Sequence, residues 1–79
     1  MEIQEFIEKF AEQFDDTDVS ELNPETEFKE LDEWTSLTSL TVIAMVDELY
    51  GIYLRGEEIR KAKTLQDLFE VVKSKESNR

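Results

Sequence analysis

The sequence predicts an all-helical domain: a four-helix bundle with a long loop between the first two helices and a short third helix. Three observations carry that expectation. Apolar residues return every three or four positions in three separate segments. Gly51 stands as a stop directly after the second segment, and Thr64, followed three residues later by Asp67, has the form of a capping box at the start of the last one.

The first helix is read from Glu2 to Phe14, where Ile3, Phe6, Ile7, Phe10, Ala11 and Phe14 share a face and Glu5, Glu8, Lys9, Glu12 and Gln13 lie between them. Asp15 to Trp34 shows no sustained period, carries the turn signal Asn23-Pro24, and scatters Val19, Leu22, Phe28 and Leu31 as isolated anchors. A structureless stretch of that length in a compact domain means either a function or a misassigned element, and its anchors predict packing over a core. Leu37 to Tyr50 is apolar on more than one narrow stripe, which predicts the most buried helix, with Val42, Met45, Val46 and Leu49 in the core. Gly56 to Lys61 is a short third helix with Ile59 as its inward residue. The fourth begins at Thr64, turns Leu65, Leu68, Phe69 and Val72 inward, and gives way to a frayed tail over Ser74 to Arg79. Residues 1 to 79 read as one domain, with no internal repeat or linker.

Composition narrows the function before any motif does. A chain of 79 residues holds one modest core and little room for a preformed substrate pocket. It contains no Cys, so disulfides, thiolate metal sites and cysteine nucleophiles fall away together. It contains no His, which removes the commonest general base and the commonest zinc ligand. The expectation is a protein that is not itself an enzyme and holds no metal. The net charge of -11 is uneven: residues 1 to 54 carry 15 Asp or Glu against Lys9 and Lys29, whereas residues 55 to 79 carry 7 basic against 5 acidic residues. Such a surface repels phosphate backbones and anionic headgroups, so nucleic acid and membrane are poor partners and basic protein surfaces are good ones. No apolar stretch approaches the roughly 20 residues of a membrane helix, and the first residues lack the form of a signal peptide. A cytoplasmic monomer is the expectation.

Against this background one string stands out: Phe28-Lys29-Glu30-Leu31-Asp32-Glu33-Trp34-Thr35-Ser36-Leu37, followed at the far end of the second helix by Asp47-Glu48-Leu49-Tyr50-Gly51-Ile52. Together with Gly56-Glu57-Glu58-Ile59 and Thr64-Leu65-Gln66-Asp67 it resembles the acyl carrier protein family over nearly the whole chain. The resemblance implies a 4'-phosphopantetheine arm attached to Ser36. It also implies partner contacts through Glu30, Asp32, Glu33, Trp34, Thr35, Leu37, Asp47 and Glu48. The implied partners are a phosphopantetheinyl transferase and acyl-ligases, synthases or acyltransferases with basic docking surfaces. Two departures from the family pattern bear on them. Thr35 stands where Asp is common, which keeps a helix cap and removes a charge beside the attachment site. Thr38 and Thr41 stand where carriers of fatty acid synthesis are commonly acidic.

The chemistry suits the residues. A phosphodiester beside a serine is a permanent anion, and a helix start with open amides favours one by some tenths up to about 1 kcal/mol. A thiol on the arm would let a chain without Cys or His carry acyl groups as thioesters. Read locally, Ser36 is better taken as a plain helix cap, with Thr35 as the other candidate; the resemblance and its spacing to Gly51 reverse that in favour of attachment, and Ser39-Leu40 is a rival site that misses the spacing. Two functions follow. One is a carrier of acyl or aminoacyl groups in fatty acid, lipid or specialised metabolite biosynthesis. The other is an unmodified interaction module that docks on basic surfaces through Glu30, Asp32, Glu33, Asp47 and Glu48.

Overall fold

The computed structural model describes residues 2–77. Its helices are α1 (Ile3–Ala11), α2 (Ser36–Tyr50), α3 (Gly56–Lys61) and α4 (Leu65–Ser77), and no strand occurs among the described residues. The chain is a small all-helical bundle, with α1 packed against α2 and α4, and α3 against α2 and α4. Its radius of gyration of 11.4 Å is close to the ~11.6 Å expected of a compact chain this long.

α1 forms because its inward positions repeat at the helical spacing: Phe6, Ile7, Phe10 and Ala11 are buried and Glu5 and Glu8 face water. It ends at Ala11, earlier than the periodicity suggests. The turn beyond tightens through bonds from Gln13 N–H to Phe10 O and from Phe14 N–H to Ala11 O, which carries Phe14 into the core without a further helical turn.

The loop before α2 contains two single turns of 3-10 helix, Val19–Glu21 and Phe28–Glu30. Leu22 and Phe28 are buried, while Val19 and Leu31 pack against the core in part. Asn23-Pro24 makes the anticipated turn, with Thr26 N–H donating to Asn23 O. The loop then serves α4: the amides of Leu65 and Gln66 donate to the carbonyls of Thr26 and Pro24, at 3.0 and 2.9 Å. These bonds satisfy amides that a helix start leaves open, so the loop is structural over its middle third.

α2 corrects the sequence reading. Only Val42, Met45 and Val46 of its residues are buried, whereas Leu37, Leu40 and Leu49 are exposed. It is the most apolar helix but not the most buried; α1 buries more of its own length. Gly51 closes it in the left-handed conformation, φ 66°, donating its N–H to Asp47 O. Ile52 and Leu54 then point inward with Tyr53 outward. α3 turns Ile59 inward as expected. In α4 the capping box forms as read, Asp67 N–H donating to Thr64 Oγ1 and Thr64 N–H to the Asp67 carboxylate, both at 3.1 Å. The helix continues through Ser77, past the Ser74 start of the expected frayed tail; Asn78 and Arg79 lie outside the described residues.

Candidate functional site

The start of α2 is built by two threonines. Thr35, extended at φ −141° and ψ 174°, accepts from the Thr38 amide through its hydroxyl, and Thr38 Oγ1 accepts from the Thr35 amide at 2.8 Å. Thr35 is therefore the cap, and Ser36, the first helical residue, is released from that role. Ser36 is exposed, and its hydroxyl has no hydrogen-bond partner among the described residues. The amides of Ser36 and Leu37 precede the first helical bond, from Ser39 N–H to Thr35 O, and stay open. Ser39, the rival by local sequence, is half-buried and its amide is already committed to that bond.

From Ser36 onward the exposed residues of the first turns of α2 are uncharged. Leu37 is 70% and Leu40 62% exposed, and no charged residue occurs between Glu33 and Asp47. In a chain with 37% charged residues, that run makes the first two turns of α2 an uncharged ridge on an anionic body. Leu40 was missed as a surface residue, because an all-round apolar helix hides which side faces out. The missing charges were the signal.

The acidic residues expected at the site separate into three places. Glu30 and Asp32 are exposed just ahead of α2, and Asp47 and Glu48 are exposed at its far end, about 17 Å along the axis from Ser36 at the usual helical rise. Glu33 turns away from both. Its carboxylate accepts from the amides of Asp15 (3.2 Å) and Asp16 (3.1 Å) and from the Thr17 hydroxyl (2.6 Å). The Thr17 hydroxyl is the main cause that holds the Glu33 carboxyl below its usual range; burial pushes the other way, and the backbone amides of Asp16, Asp15 and Thr17 add to the lowering.

Trp34 is half-buried and faces inward. Its ring lies parallel to Phe10, 6.2 Å between centroids at 11°, and edge-on to Phe28 at 5.1 Å, with Phe14 6.3 Å away. It closes an aromatic cluster over the end of α1, the lid role its position suggests, and leaves less ring for a partner to touch.

The surface also carries shallow grooves. One of about 290 Å³ runs between α1 and α2, lined by Glu12, Gln13, Thr41, Ala44, Met45, Glu48 and Leu49. Another, about 430 Å³, lies between α3 and α4 beside the Lys75–Glu58 ion pair (2.6 Å), away from Ser36. Among the described residues no cluster of carboxylates is arranged to hold a metal ion, and no helix is long and apolar enough to cross a membrane. In comparisons with known proteins, no family model, no curated protein and no solved structure matches the chain.

Proposed function

We propose that this chain is an acyl carrier protein: Ser36 Oγ bears a 4'-phosphopantetheine arm through a phosphodiester, and the domain presents acyl or aminoacyl groups on it to partner enzymes. The observation that supports this reading most is the state of Ser36, an exposed serine with an unengaged hydroxyl at the first position of a 15-residue helix. The residues fit the group. Thr35 takes the capping duty, the open amides of Ser36 and Leu37 and the helix dipole favour an anion at Ser36, and no carboxylate lies on the uncharged turns beside it.

When bound, the arm supplies the thiol on which acyl groups ride as thioesters. The chain itself presents and identifies. Leu37 and Leu40 offer apolar contact to whatever enzyme approaches Ser36, while Glu30 and Asp32 on one side and Asp47 and Glu48 on the other favour an approach by basic surfaces. Such a carrier belongs in fatty acid, lipid or specialised metabolite biosynthesis, with a transferase as its first partner and ligases, synthases or acyltransferases after it.

The test is intact mass after incubation with coenzyme A and a broad-specificity phosphopantetheinyl transferase. A single phosphopantetheine added to the full chain supports the carrier. A chain that several transferases leave unmodified favours the bare interaction module.

A further inference from the structure

Glu33 lies three residues before Ser36 and is bonded at both its side chain and its backbone. Its carboxylate gathers the Asp15 and Asp16 amides and the Thr17 hydroxyl, 16 to 18 positions back along the chain. Its carbonyl oxygen accepts from Thr38 Oγ1 at 3.1 Å, a bond that hydroxyl shares with Thr35 O at 3.0 Å. Thr38 is the residue that caps α2 with Thr35. One residue thus ties the segment leaving α1 to the cap of α2. Its neighbour Trp34 makes the same join by stacking on Phe10 and packing at a tilt against Phe14. Ser36 has no side-chain bond of its own, so where its hydroxyl points follows from the backbone these two residues anchor.

We infer that Glu33 is a positioning residue: by holding Asp15–Thr17 it fixes the start of α2 and so the place where Ser36 is presented to a modifying enzyme, a role that rests on the carrier reading. Three donors already share the two carboxylate oxygens of Glu33, which leaves few lone pairs for a direct bond to a partner. Thr17 makes the idea separable from charge, because it carries none and sits at the other end of the shortest of these bonds.

The experiment measures kcat/KM for transfer to the full chain at low and high salt, well below the melting temperature of every variant. The variants are Glu33→Ala, Glu33→Gln, Thr17→Val and the Thr17→Val/Glu33→Ala pair. Glu33→Ala is expected to slow transfer about tenfold, less than the roughly hundredfold that a misplacement of about 1 Å can cost. Thr17→Val slows it in the same direction, the pair is no slower than Glu33→Ala, Glu33→Gln recovers part of the rate, and the defect persists at high salt. A defect that high salt abolishes, or a Thr17→Val chain at full rate, makes Glu33 a docking charge and overturns the inference. Variants that melt earlier but react at the wild-type rate overturn it too, leaving Glu33 a plain staple. If the wild type accepts no arm, the carrier reading fails on its own, and hydrogen exchange then decides. Faster exchange at the Thr38 and Ser39 amides in Glu33→Ala and Thr17→Val upholds the coupling to the α2 start, and unchanged exchange refutes it.

Discussion

Thr35 and Thr38 cap α2 reciprocally, each hydroxyl accepting the other residue's amide, at 3.2 Å into Thr35 and 2.8 Å into Thr38. This arrangement separates the cap from the serine that follows it. Thr35→Ala should cost about 1 kcal/mol of stability, the usual worth of a cap, and Ser36→Ala close to nothing. Thr35→Asp keeps an acceptor and adds a charge that suits the helix start, so it should be neutral or slightly stabilising. Urea unfolding of the three variants checks the order. A larger loss from Ser36→Ala than from Thr35→Ala would show that the cap has been assigned to the wrong residue.

Among the described residues, three carboxylates are held below their usual range. At Glu33 the Thr17 bond is the main cause, and at Asp67 it is the amides of Thr64 and Lys63. At Glu58 burial pushes upward, but the Lys75 ammonium and the Arg55 amide outweigh it. A lowered carboxyl adds stability that is complete above its unfolded value and disappears as the pH falls through its folded one. The stability gap between wild type and Glu33→Gln should therefore be constant from pH 7 down to about 5 and close at more acid pH. Unfolding curves collected pairwise across that range measure it, and a gap of constant size down to pH 3 would contradict the assignment.

Trp34 is the chain's one tryptophan, and its emission reports on the junction of α1, the loop and α2. Trp34→Ala should cost about 2 to 3 kcal/mol, below the range for fully buried aromatics because the ring is half-exposed, and Trp34→Phe much less. Thermal melts give the ranking. Equal losses in the two variants would mean that the stacking on Phe10 contributes little.

The charge of -11 on a core of this size predicts self-repulsion. Raising the salt from about 0.01 to 0.2 M shortens the screening length from about 30 Å to under 10 Å and should raise the melting temperature. Calorimetry in a salt series tests this, and a midpoint indifferent to salt would count against it.

Much of the fold was legible because α1 and α4 each present one apolar stripe, and because Gly51 and the Thr64–Asp67 pair mark ends with their own chemistry. α2 was misread for a physical reason. Its apolar residues surround the axis, so composition announced burial while the packing of α1 and α3 covered only the side bearing Val42, Met45 and Val46. Glu33 was read as a surface charge because two of its partners are backbone amides and all three lie at least 16 positions away, where no sequence spacing points. At the site, Ser36 was singled out only through the family resemblance and its spacing to Gly51. That Thr35 and Thr38 would free it from capping depends on a hydroxyl geometry that the residue types permit without requiring.

The most direct measurement is tandem mass spectrometry of the wild type, Ser36→Ala and Ser39→Ala after incubation with coenzyme A and a broad-specificity phosphopantetheinyl transferase. The expected result is an arm on the peptide containing Ser36 in the wild type and in Ser39→Ala, and no arm in a folded Ser36→Ala. An arm retained in Ser36→Ala and lost in Ser39→Ala, or a wild type that every transferase leaves bare, would contradict the assignment of Ser36 as the attachment site.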